Sequence, residues 1–216
     1  MQNVFLFDID GVIIRLPSRY SLILENRGYL NATKALDKFY TSDVMCTTGK
    51  VDPLIYINTF LPEFGWLKGS EAFFDEKFEY ESRYLDKILL EKIQDLRKTG
   101  KRCYLATDQN NYRKDYLLNK LDLKSKFDGW FVSAEIGYRK IENEYWEFVI
   151  ARLKELYPGI KCNEIVFVDD REENIIKAKE YSLKTIHVKG ESEVIELMKF
   201  INQEKSKGRN RTIAST

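Results

Sequence analysis

The sequence predicts an α/β fold, with a Rossmann-like parallel sheet as its core and an α-helical cap inserted into that core. Three observations predict this fold. Five short apolar segments have the composition of buried strands, and helical patterns lie between the later ones. Alternation of strands and helices is typical of a parallel sheet with crossover helices. About 70 residues after the first strand show only helical patterns, which is longer than an ordinary connection.

The individual elements follow from local composition and spacing. Strands are predicted where short runs are rich in β-branched or aromatic residues, at 4–7, 102–106, 130–133, 165–168 and 185–188. Core helices are predicted where apolar residues recur on one helical face, at 85–98, 142–156, 172–181 and 193–203. The inserted segment has helical patterns at 18–26, 33–39, 53–60 and 70–80.

These elements divide the chain into domains. We expect residues 1–15 and 85–204 to form the α/β core, and residues 16–84 to form the helical cap. Residues 205–216 are polar with several basic side chains, so we expect a flexible tail there.

Composition excludes several classes of protein. The 216 residues are 44% hydrophobic, which is enough for a sizeable core and excludes a disordered chain. Lys and Arg number 35, and Asp and Glu number 34, so a strongly basic face for nucleic acid is not expected. No apolar run is long enough to span a bilayer, and the N-terminus lacks the basic region of a signal peptide. We therefore expect a cytoplasmic protein that does not insert into membranes.

The scarcity of histidine and cysteine excludes further kinds of site. The single histidine rules out a metal site with two or three imidazole ligands. The three cysteines lie far apart, so neither a disulfide framework nor a CxxC zinc site is expected. The glycines form no GxGxxG, GxSxG or Walker A motif. Nothing in the sequence sets an oligomeric state.

Two pairs of carboxylates follow predicted strands. Asp8 and Asp10 come after the first strand, and Asp169 and Asp170 after the fourth. Ligands of parallel α/β sheets bind beyond the carboxyl ends of the strands, so we expect all four carboxylates at one rim. Such crowded like charges need a cation or shared protons, and an all-oxygen ligand set favours Mg²⁺. For Asp169 or Asp170 the alternative is N-capping of the helix that begins at Glu172.

Two other segments carry candidate phosphate ligands. Thr107 follows the second predicted strand, where its hydroxyl is able to donate to a phosphate oxygen or to cap the next helix. Arg139 and Lys140 lie in a loop just before the helix predicted at 142–156. A lysine beside a helix N-terminus is a phosphate site, and a solvated basic loop is the alternative.

Together these segments resemble the haloacid dehalogenase (HAD) superfamily. Its four motifs are matched in order by residues 5–12, 106–110, 137–140 and 167–175. The helical segment between the first two motifs resembles the cap of subfamily I. The second and third motifs look most like those of small sugar-phosphate phosphatases.

The resemblance implies a Mg²⁺-dependent phosphatase that hydrolyses a small phosphorylated metabolite through an aspartyl-phosphate intermediate. It implies Asp8 as the nucleophile, and Asp10 as the general acid and base. The implied metal ligands are Asp8, the Asp10 backbone carbonyl, Asp170 directly and Asp169 through water. The implied phosphate-binding residues are Thr107, Asp108 and Lys140.

Two positions depart from the family pattern. Asp108 stands where Asn is common, and Ile141 stands where Pro is common. An extra carboxylate beside a phosphate site needs a partner, for which Arg113 and Arg139 are candidates. Two other functions stay open: a phosphomutase of the β-phosphoglucomutase type, and a non-catalytic HAD-like binding protein.

Overall fold

A five-stranded parallel sheet forms the core of the molecule, which the computed structural model describes over residues 4–213, without the side chains at 205 and 207–213. The strands are β1 (Val4–Phe7), β2 (Arg102–Thr107), β3 (Gly129–Val132), β4 (Ile165–Asp169) and β5 (Lys184–His187). Their order in the sheet is β3-β2-β1-β4-β5, and every pairing is parallel. The predicted α/β fold class is confirmed, and β1 lies at the centre of the sheet.

Helices surround this sheet. In chain order they are α1 (Tyr20–Asn26), α2 (Ala32–Ser42), α3 (Val44–Thr47), α4 (Pro53–Ile57), α5 (Ser70–Ser82), α6 (Lys87–Lys98), α7 (Asn111–Asp115), α8 (Leu123–Lys126), α9 (Ser133–Ile136), α10 (Asn143–Leu156), α11 (Glu172–Glu180) and α12 (Glu191–Ile213). A π-helical turn (Tyr116–Lys120) continues α7, and short 3₁₀ helices lie at Leu61–Phe64 and Cys162–Glu164. None of the helices within residues 4–213 has the length and apolar character needed to cross a bilayer.

Both faces of the sheet are buried. Along β1, Phe5 and Phe7 pack with apolar residues of α6 and α12 on one face. The alternate residues, Val4 and Leu6, pack with α10 and α11 on the other face. All four side chains are fully buried, as expected for a central strand of a parallel sheet covered by helices on both sides.

The helices between β1 and α6 form a hydrophobic core of their own. We call residues 16–84 the helical insertion. Its buried aromatic residues include Phe39 on α2, and Phe73, Phe74 and Phe78 on α5. Aromatic rings in edge-to-face and tilted contact fill this core, so the insertion has a packed interior distinct from that of the sheet.

The chain enters and leaves the helical insertion through adjacent segments. Ile14 bridges Leu85 in antiparallel fashion, and the Asp86 N–H donates to the Ile13 carbonyl oxygen at 2.8 Å. The Arg15 guanidinium also contacts the Asp86 carboxylate at 2.6 Å. The two connections are therefore held together directly beside the end of β1.

The structure corrects several predicted boundaries. β3 ends at Val132 because Ser133 begins α9, a short helix that the sequence pattern did not indicate. Within the insertion α4 ends at Ile57, earlier than the predicted end at residue 60. The last helix runs to Ile213, so residues 205–213 are helical where a flexible tail was predicted, and residues 214–216 lie outside the described part.

Candidate active site

The central strand places Asp8 among the ends of three strands. Phe7 is in register with Leu105 of β2 and Val168 of β4, so the residues that follow these strands lie at one edge of the sheet. The Asp8 N–H donates to the Val168 carbonyl oxygen at 2.9 Å, which extends the pairing by one residue. The structure thus brings Asp8, Thr107 and Asp169 to one edge.

Lys140 reaches into this edge from the loop after α9. Its ammonium lies 2.8 Å from Asp8 Oδ2 and 2.7 Å from Asp169 Oδ2, and it contacts the Ala106 carbonyl oxygen at 3.4 Å. Only 1% of Lys140 is exposed, so the alternative of a solvated loop is wrong for this residue. Arg139, its neighbour, is directed toward Asp108 instead.

Burial controls the protonation of these groups. Burial raises the pKa of the Asp8 carboxyl well above its usual range, the Lys140 ammonium opposes this shift, and the Asp169 carboxylate reinforces it. Burial alone would lower the pKa of Lys140, but Asp8, Asp169 and Asp108 outweigh it and raise that pKa. Lys140 therefore stays protonated, and further positive charge near Asp8 would lower the pKa of its carboxyl.

Asp8, Asp169 and Asp170 form a group of oxygen ligands for a hard cation. One carboxylate oxygen from each lies within 4.8 Å of the others. Both Asp169 oxygens already accept protein hydrogen bonds: Oδ1 from the Arg171 N–H at 2.8 Å, and Oδ2 from Lys140. Asp170 is less buried, and no described backbone N–H donates to the Asp10 carbonyl oxygen. Both Asp8 oxygens have protein partners as well, since Oδ1 accepts from the Ile9 N–H at 2.8 Å and Oδ2 lies 2.8 Å from the Lys140 ammonium. This donor set suits Mg²⁺ in composition.

Helix capping does not explain the second carboxylate pair. The N-cap position of α11 is Arg171, which makes no side-chain capping hydrogen bond. Asp169 instead fixes the turn before this helix, because it also accepts from the Asn174 side chain at 3.1 Å. The N-capping alternative for Asp169 and Asp170 is therefore wrong.

Gly11 lets the first loop pass close to Asp170. Its φ of +77° lies in the left-handed region, and a Cβ added there would lie 2.1 Å from Asp170 Oδ2. A side chain at this position would both strain the backbone and displace a candidate metal ligand. The glycine after Asp10 is thus required by the packing of the two acidic loops.

Two donors hold the Asp10 carboxylate. Gln109 Nε2 donates to Oδ2 at 2.7 Å, and Arg113 Nη2 donates to Oδ1 at 2.7 Å. Enclosure in the cleft raises the pKa of Asp10, but the charges of Arg113 and Lys77 outweigh it and hold the pKa below its usual range. Asp10 is therefore a carboxylate here, with 55% of its side chain still exposed to the cleft.

The second motif is built around a short turn after β2. Thr107 is buried, and its Oγ1 accepts from Gln109 Nε2 at 3.4 Å. The capping alternative for Thr107 is wrong, because the Asn110 side chain caps α7 by accepting from the Arg113 N–H at 2.9 Å. The Thr107 hydroxyl thus lies at the rim without a role in the helix.

Asp108 ties the second motif to the third. Its Oδ1 accepts from the Lys140 N–H at 3.0 Å, and its Oδ2 lies 3.8 Å from Arg139 Nε. Of the two partners considered from the sequence, Arg139 is the one that the structure provides, whereas Arg113 contacts Asp10 and Glu81. The carboxylate of Asp108 therefore supports the Lys140 loop, and only its backbone is free to face an anion.

We expect Asp108→Asn to weaken the site modestly. The amide oxygen is still able to accept from the Lys140 N–H, but its NH₂ group would face the Arg139 donor. The two charges lie 3.8 Å apart without a hydrogen bond, and loss of their attraction costs about 1 kcal/mol, or roughly five-fold in kcat/KM. Hydrolysis of an aryl phosphate by wild type and variant measures the effect. A gain in kcat/KM would show that the charge of Asp108 opposes phosphate binding.

Several residues at the site were not expected from the sequence. Gln109 and Ser133 were missed, although Gln109 adjoins Thr107 and Asp108 in the motif. The Ser133 hydroxyl is fully buried, accepts from the Gln109 N–H at 3.0 Å and donates to the Thr47 carbonyl oxygen at 2.6 Å. Arg113 was considered only as a partner of Asp108. Nothing in the local sequence distinguishes these polar residues from helix and turn residues.

A cavity of about 750 Å³ opens in front of Asp10, between the α/β part and the helical insertion. The insertion contributes hydroxyl, ammonium and carboxylate groups to its wall, from Ser21, Tyr40, Lys77 and Glu81. A space of this size holds a small metabolite, and its wall offers both donors and acceptors.

A family model of haloacid dehalogenase-like hydrolases matches residues 2–180. The chain belongs to this family. The family predicted from the four motifs is therefore confirmed.

Solved structures show that the fold of this HAD-like hydrolase is shared. It is similar to the HAD family enzyme BT-2542 from Bacteroides thetaiotaomicron in complex with magnesium and inorganic phosphate, with 18% identity, a TM-score of 0.67, and coverage of 87% of this chain and 94% of that chain. It is similar to a HAD-like family hydrolase from Porphyromonas gingivalis, with 20% identity, a TM-score of 0.70, and coverage of 93% and 98%. A HAD-hydrolase from Bacillus subtilis bound to magnesium is also similar, with 19% identity, a TM-score of 0.59, and coverage of 86% and 88%. No curated protein matches the sequence.

Proposed function

We propose that the protein is a Mg²⁺-dependent phosphatase that hydrolyses a small phosphorylated metabolite through an aspartyl-phosphate on Asp8. The observation that carries this proposal is the buried Lys140 ammonium 2.8 Å from Asp8 Oδ2. Asp10, two residues after Asp8, lines the cavity. A carboxylate nucleophile, a fixed cation and a second carboxylate two residues away are the groups that phosphoryl transfer requires. The magnesium and phosphate bound by the structurally similar enzyme BT-2542 support the same chemistry.

Phosphate would be held by one cation and several neutral donors. The Lys140 ammonium neutralises charge on the phosphoryl oxygens, and the Thr107 hydroxyl donates to one of them. The backbone N–H groups of Asp10 and Asp108 donate to no described residue, so both are available to an anion. In this proposal the backbone of Asp108 binds phosphate, and its carboxylate positions Lys140.

In the first step a carboxylate oxygen of Asp8 attacks phosphorus, and the bond from phosphorus to the leaving oxygen breaks. Asp10 gives a proton to that oxygen, so the product leaves as an alcohol. The phosphate dianion beside Asp10 raises the pKa of its carboxyl and favours the protonated form that this step needs. In the second step Asp10 takes a proton from a water molecule whose oxygen attacks phosphorus. The bond between phosphorus and the Asp8 oxygen breaks, which releases phosphate and restores the Asp8 carboxylate.

The proposed metal ligands are Asp8, the Asp10 carbonyl oxygen and Asp170, with Asp169 contributing through water and through its contact with Lys140. When bound, Mg²⁺ supplies positive charge that keeps Asp8 ionised and polarises a phosphate oxygen. This charge would lower the pKa of the Asp8 carboxyl, which burial raises by more than Lys140 lowers it.

We expect hydrolysis of p-nitrophenyl phosphate to require Mg²⁺. Excess EDTA should abolish release of p-nitrophenolate, and added Mg²⁺ in excess of the chelator should restore it, because the carboxylate group needs a cation to accept a phosphate dianion. Release is followed by absorbance. Full turnover in excess chelator would contradict the metal assignment.

Asp10 favours phosphoryl transfer over dehalogenation. A halide leaves as a stable anion and needs no proton, whereas an alkoxide leaving group does. A carboxylate held by Gln109 and Arg113 at the mouth of the cavity is placed for proton transfer to a leaving oxygen. The placement of Asp10 thus supports phosphatase activity within a family that also includes dehalogenases.

The cavity favours a sugar phosphate or a similar polyhydroxy compound. Its wall combines hydroxyl, ammonium and carboxylate groups, which suit a substrate rich in hydroxyls. We propose that the helical insertion acts as the cap of a subfamily I enzyme and that residues 1–15 and 85–204 form its core. A cytoplasmic location fits substrates of this class.

Screening sugar phosphates, nucleotides and phosphoglycolate for release of inorganic phosphate tests the proposed function directly. Stoichiometric release of phosphate from one substrate class would support a phosphatase. Isomerisation of a sugar phosphate without phosphate release would instead identify a mutase. Binding without turnover in the presence of Mg²⁺ would leave a non-catalytic HAD-like protein.

A further inference from the structure

Asp10 is held by two buried side chains. Gln109 and Arg113 are 6% and 4% exposed, and each donates to a different oxygen of the Asp10 carboxylate at 2.7 Å. One donor on each oxygen fixes both the rotation and the tilt of the carboxylate plane. The orientation of Asp10 therefore depends on what holds these two donors.

Arg113 is held by the helical insertion. Its Nη1 donates to Glu81 on α5, while its Nη2 donates to Asp10, so the guanidinium joins one carboxylate from each part of the molecule. Glu81 is itself 5% exposed and accepts from Lys77 at 2.5 Å, one helical turn away. The guanidinium also lies over the Phe78 ring, 5.2 Å from its centroid. Glu81 thus fixes the orientation of the Arg113 guanidinium group.

Gln109, the second donor to Asp10, is also connected to the helical insertion. The Gln109 N–H donates to Ser133 Oγ at 3.0 Å, and this hydroxyl donates to the Thr47 carbonyl oxygen of α3 at 2.6 Å. Both donors to the Asp10 carboxylate are therefore connected to the helical insertion: Arg113 to the Glu81 side chain, and Gln109, through Ser133, to the Thr47 carbonyl oxygen. Correct seating of the insertion and correct orientation of Asp10 are geometrically linked.

A contribution to stability does not by itself explain the charged side chains that surround Arg113. Glu81, Arg113 and Lys77 are buried charged groups that lose hydration on burial, and apolar residues of similar volume would hold such an interface equally well. Apolar residues are unable to orient a carboxylate that stays partly open to the cleft. The hydrogen bonds to both Asp10 oxygens do orient it.

We propose that Glu81 is a positioning residue for Asp10: through Arg113 it sets the orientation in which Asp10 transfers a proton to the leaving oxygen. The inference rests on the proposed phosphatase reaction. It makes proton transfer depend on the helical insertion, because Glu81 reaches Arg113 only when α5 lies against α7. Glu81 also lines the cavity in front of Asp10, and it is not one of the candidate metal ligands.

The test compares two aryl phosphates of similar size whose leaving groups differ in their need for a proton. With Mg²⁺ present, kcat/KM is measured for p-nitrophenyl phosphate and for phenyl phosphate. This parameter covers only the steps up to departure of the leaving group, so the later hydrolysis of the phosphoenzyme does not enter it. p-Nitrophenolate is a stable anion, whereas phenolate leaves faster when protonated.

Glu81→Gln keeps the shape of the side chain and removes the charge that holds Arg113. We expect kcat/KM to fall about 10- to 100-fold on phenyl phosphate and less than about threefold on p-nitrophenyl phosphate, because only the first needs a well-placed acid. Glu79→Gln is the matched control on the same helix, since the Glu79 side chain is exposed and its carboxylate lies 3.4 Å from Arg83. This control should change neither value.

Arg113→Lys provides a second variant that retains the charge but loses the two-pronged geometry. It should show the same dependence on leaving group if orientation is what matters. Thermal unfolding of each variant checks that the fold persists. Equal losses on both substrates in the folded variants would overturn this inference and leave the proposed function standing. Absence of Mg²⁺-dependent turnover by the wild type on either substrate would overturn the proposed function, and this inference with it.

Discussion

Replacing Asp8 by Asn is expected to abolish turnover and the phosphoenzyme while leaving the fold intact. An amide is not a nucleophile toward phosphorus, so we expect kcat to fall at least about 10⁴-fold. Acid-quenched wild-type enzyme supplied with labelled substrate should carry the label on Asp8, and the variant should carry none. Asp75→Asn makes the same chemical change on the exposed face of α5 and should retain full activity.

The stability of Asp8→Asn distinguishes a functional from a structural carboxylate. Asp8 and Asp169 place two negative charges around the one positive charge of Lys140, so removing the first leaves a neutral pair. Burial already raises the pKa of Asp8, which means that the site disfavours its charge. We therefore expect stability to be unchanged or to rise by ~1 kcal/mol. Thermal unfolding without metal measures this, and a marked loss of stability would contradict the argument.

The grouping of Asp8, Thr107 and Asp169 was predictable from the sequence because each of them lies at the end of a predicted strand. Once Asp8, Thr107 and Asp169 each follow a buried parallel strand, the sheet itself brings them to one edge. Lys140 is different, since its loop follows a short helix, and the family resemblance rather than periodicity supplied its position. The structure places its ammonium 2.8 Å from Asp8 Oδ2.

The contacts between the insertion and the α/β part were not accessible in the same way. Arg113 and Glu81 are 32 residues apart and meet only because α5 packs beside α7. No local pattern encodes the relative placement of two helices. The short helices α3 and α9, with four residues each, also escaped prediction because a single turn shows no periodicity. These two helices contribute the Thr47 and Ser133 contacts that reach Gln109.

Replacing Lys140 by Met is expected to lower both activity and stability, whereas Asp8→Asn should lower activity alone. Methionine keeps most of the volume but removes the cation between Asp8 and Asp169. Loss of a fixed charge on the phosphoryl oxygens costs roughly 10²- to 10³-fold in kcat. Buried carboxylates left without a partner cost about 3 to 5 kcal/mol of stability, which is a large part of the total for a domain.

Added Mg²⁺ separates these two effects. If the cation binds Asp8 and Asp170, it replaces part of the lost positive charge, so Lys140→Met should gain more thermal stability from Mg²⁺ than the wild type does. Turnover should stay low even then, because a metal at the carboxylates does not occupy the position of the ammonium. Arg139→Met is the control: the Arg139 guanidinium lies 3.8 Å from the second carboxylate oxygen of Asp108, so we expect a small loss of kcat/KM. A larger loss for Arg139→Met than for Lys140→Met would show that the wrong basic residue has been assigned to the phosphate.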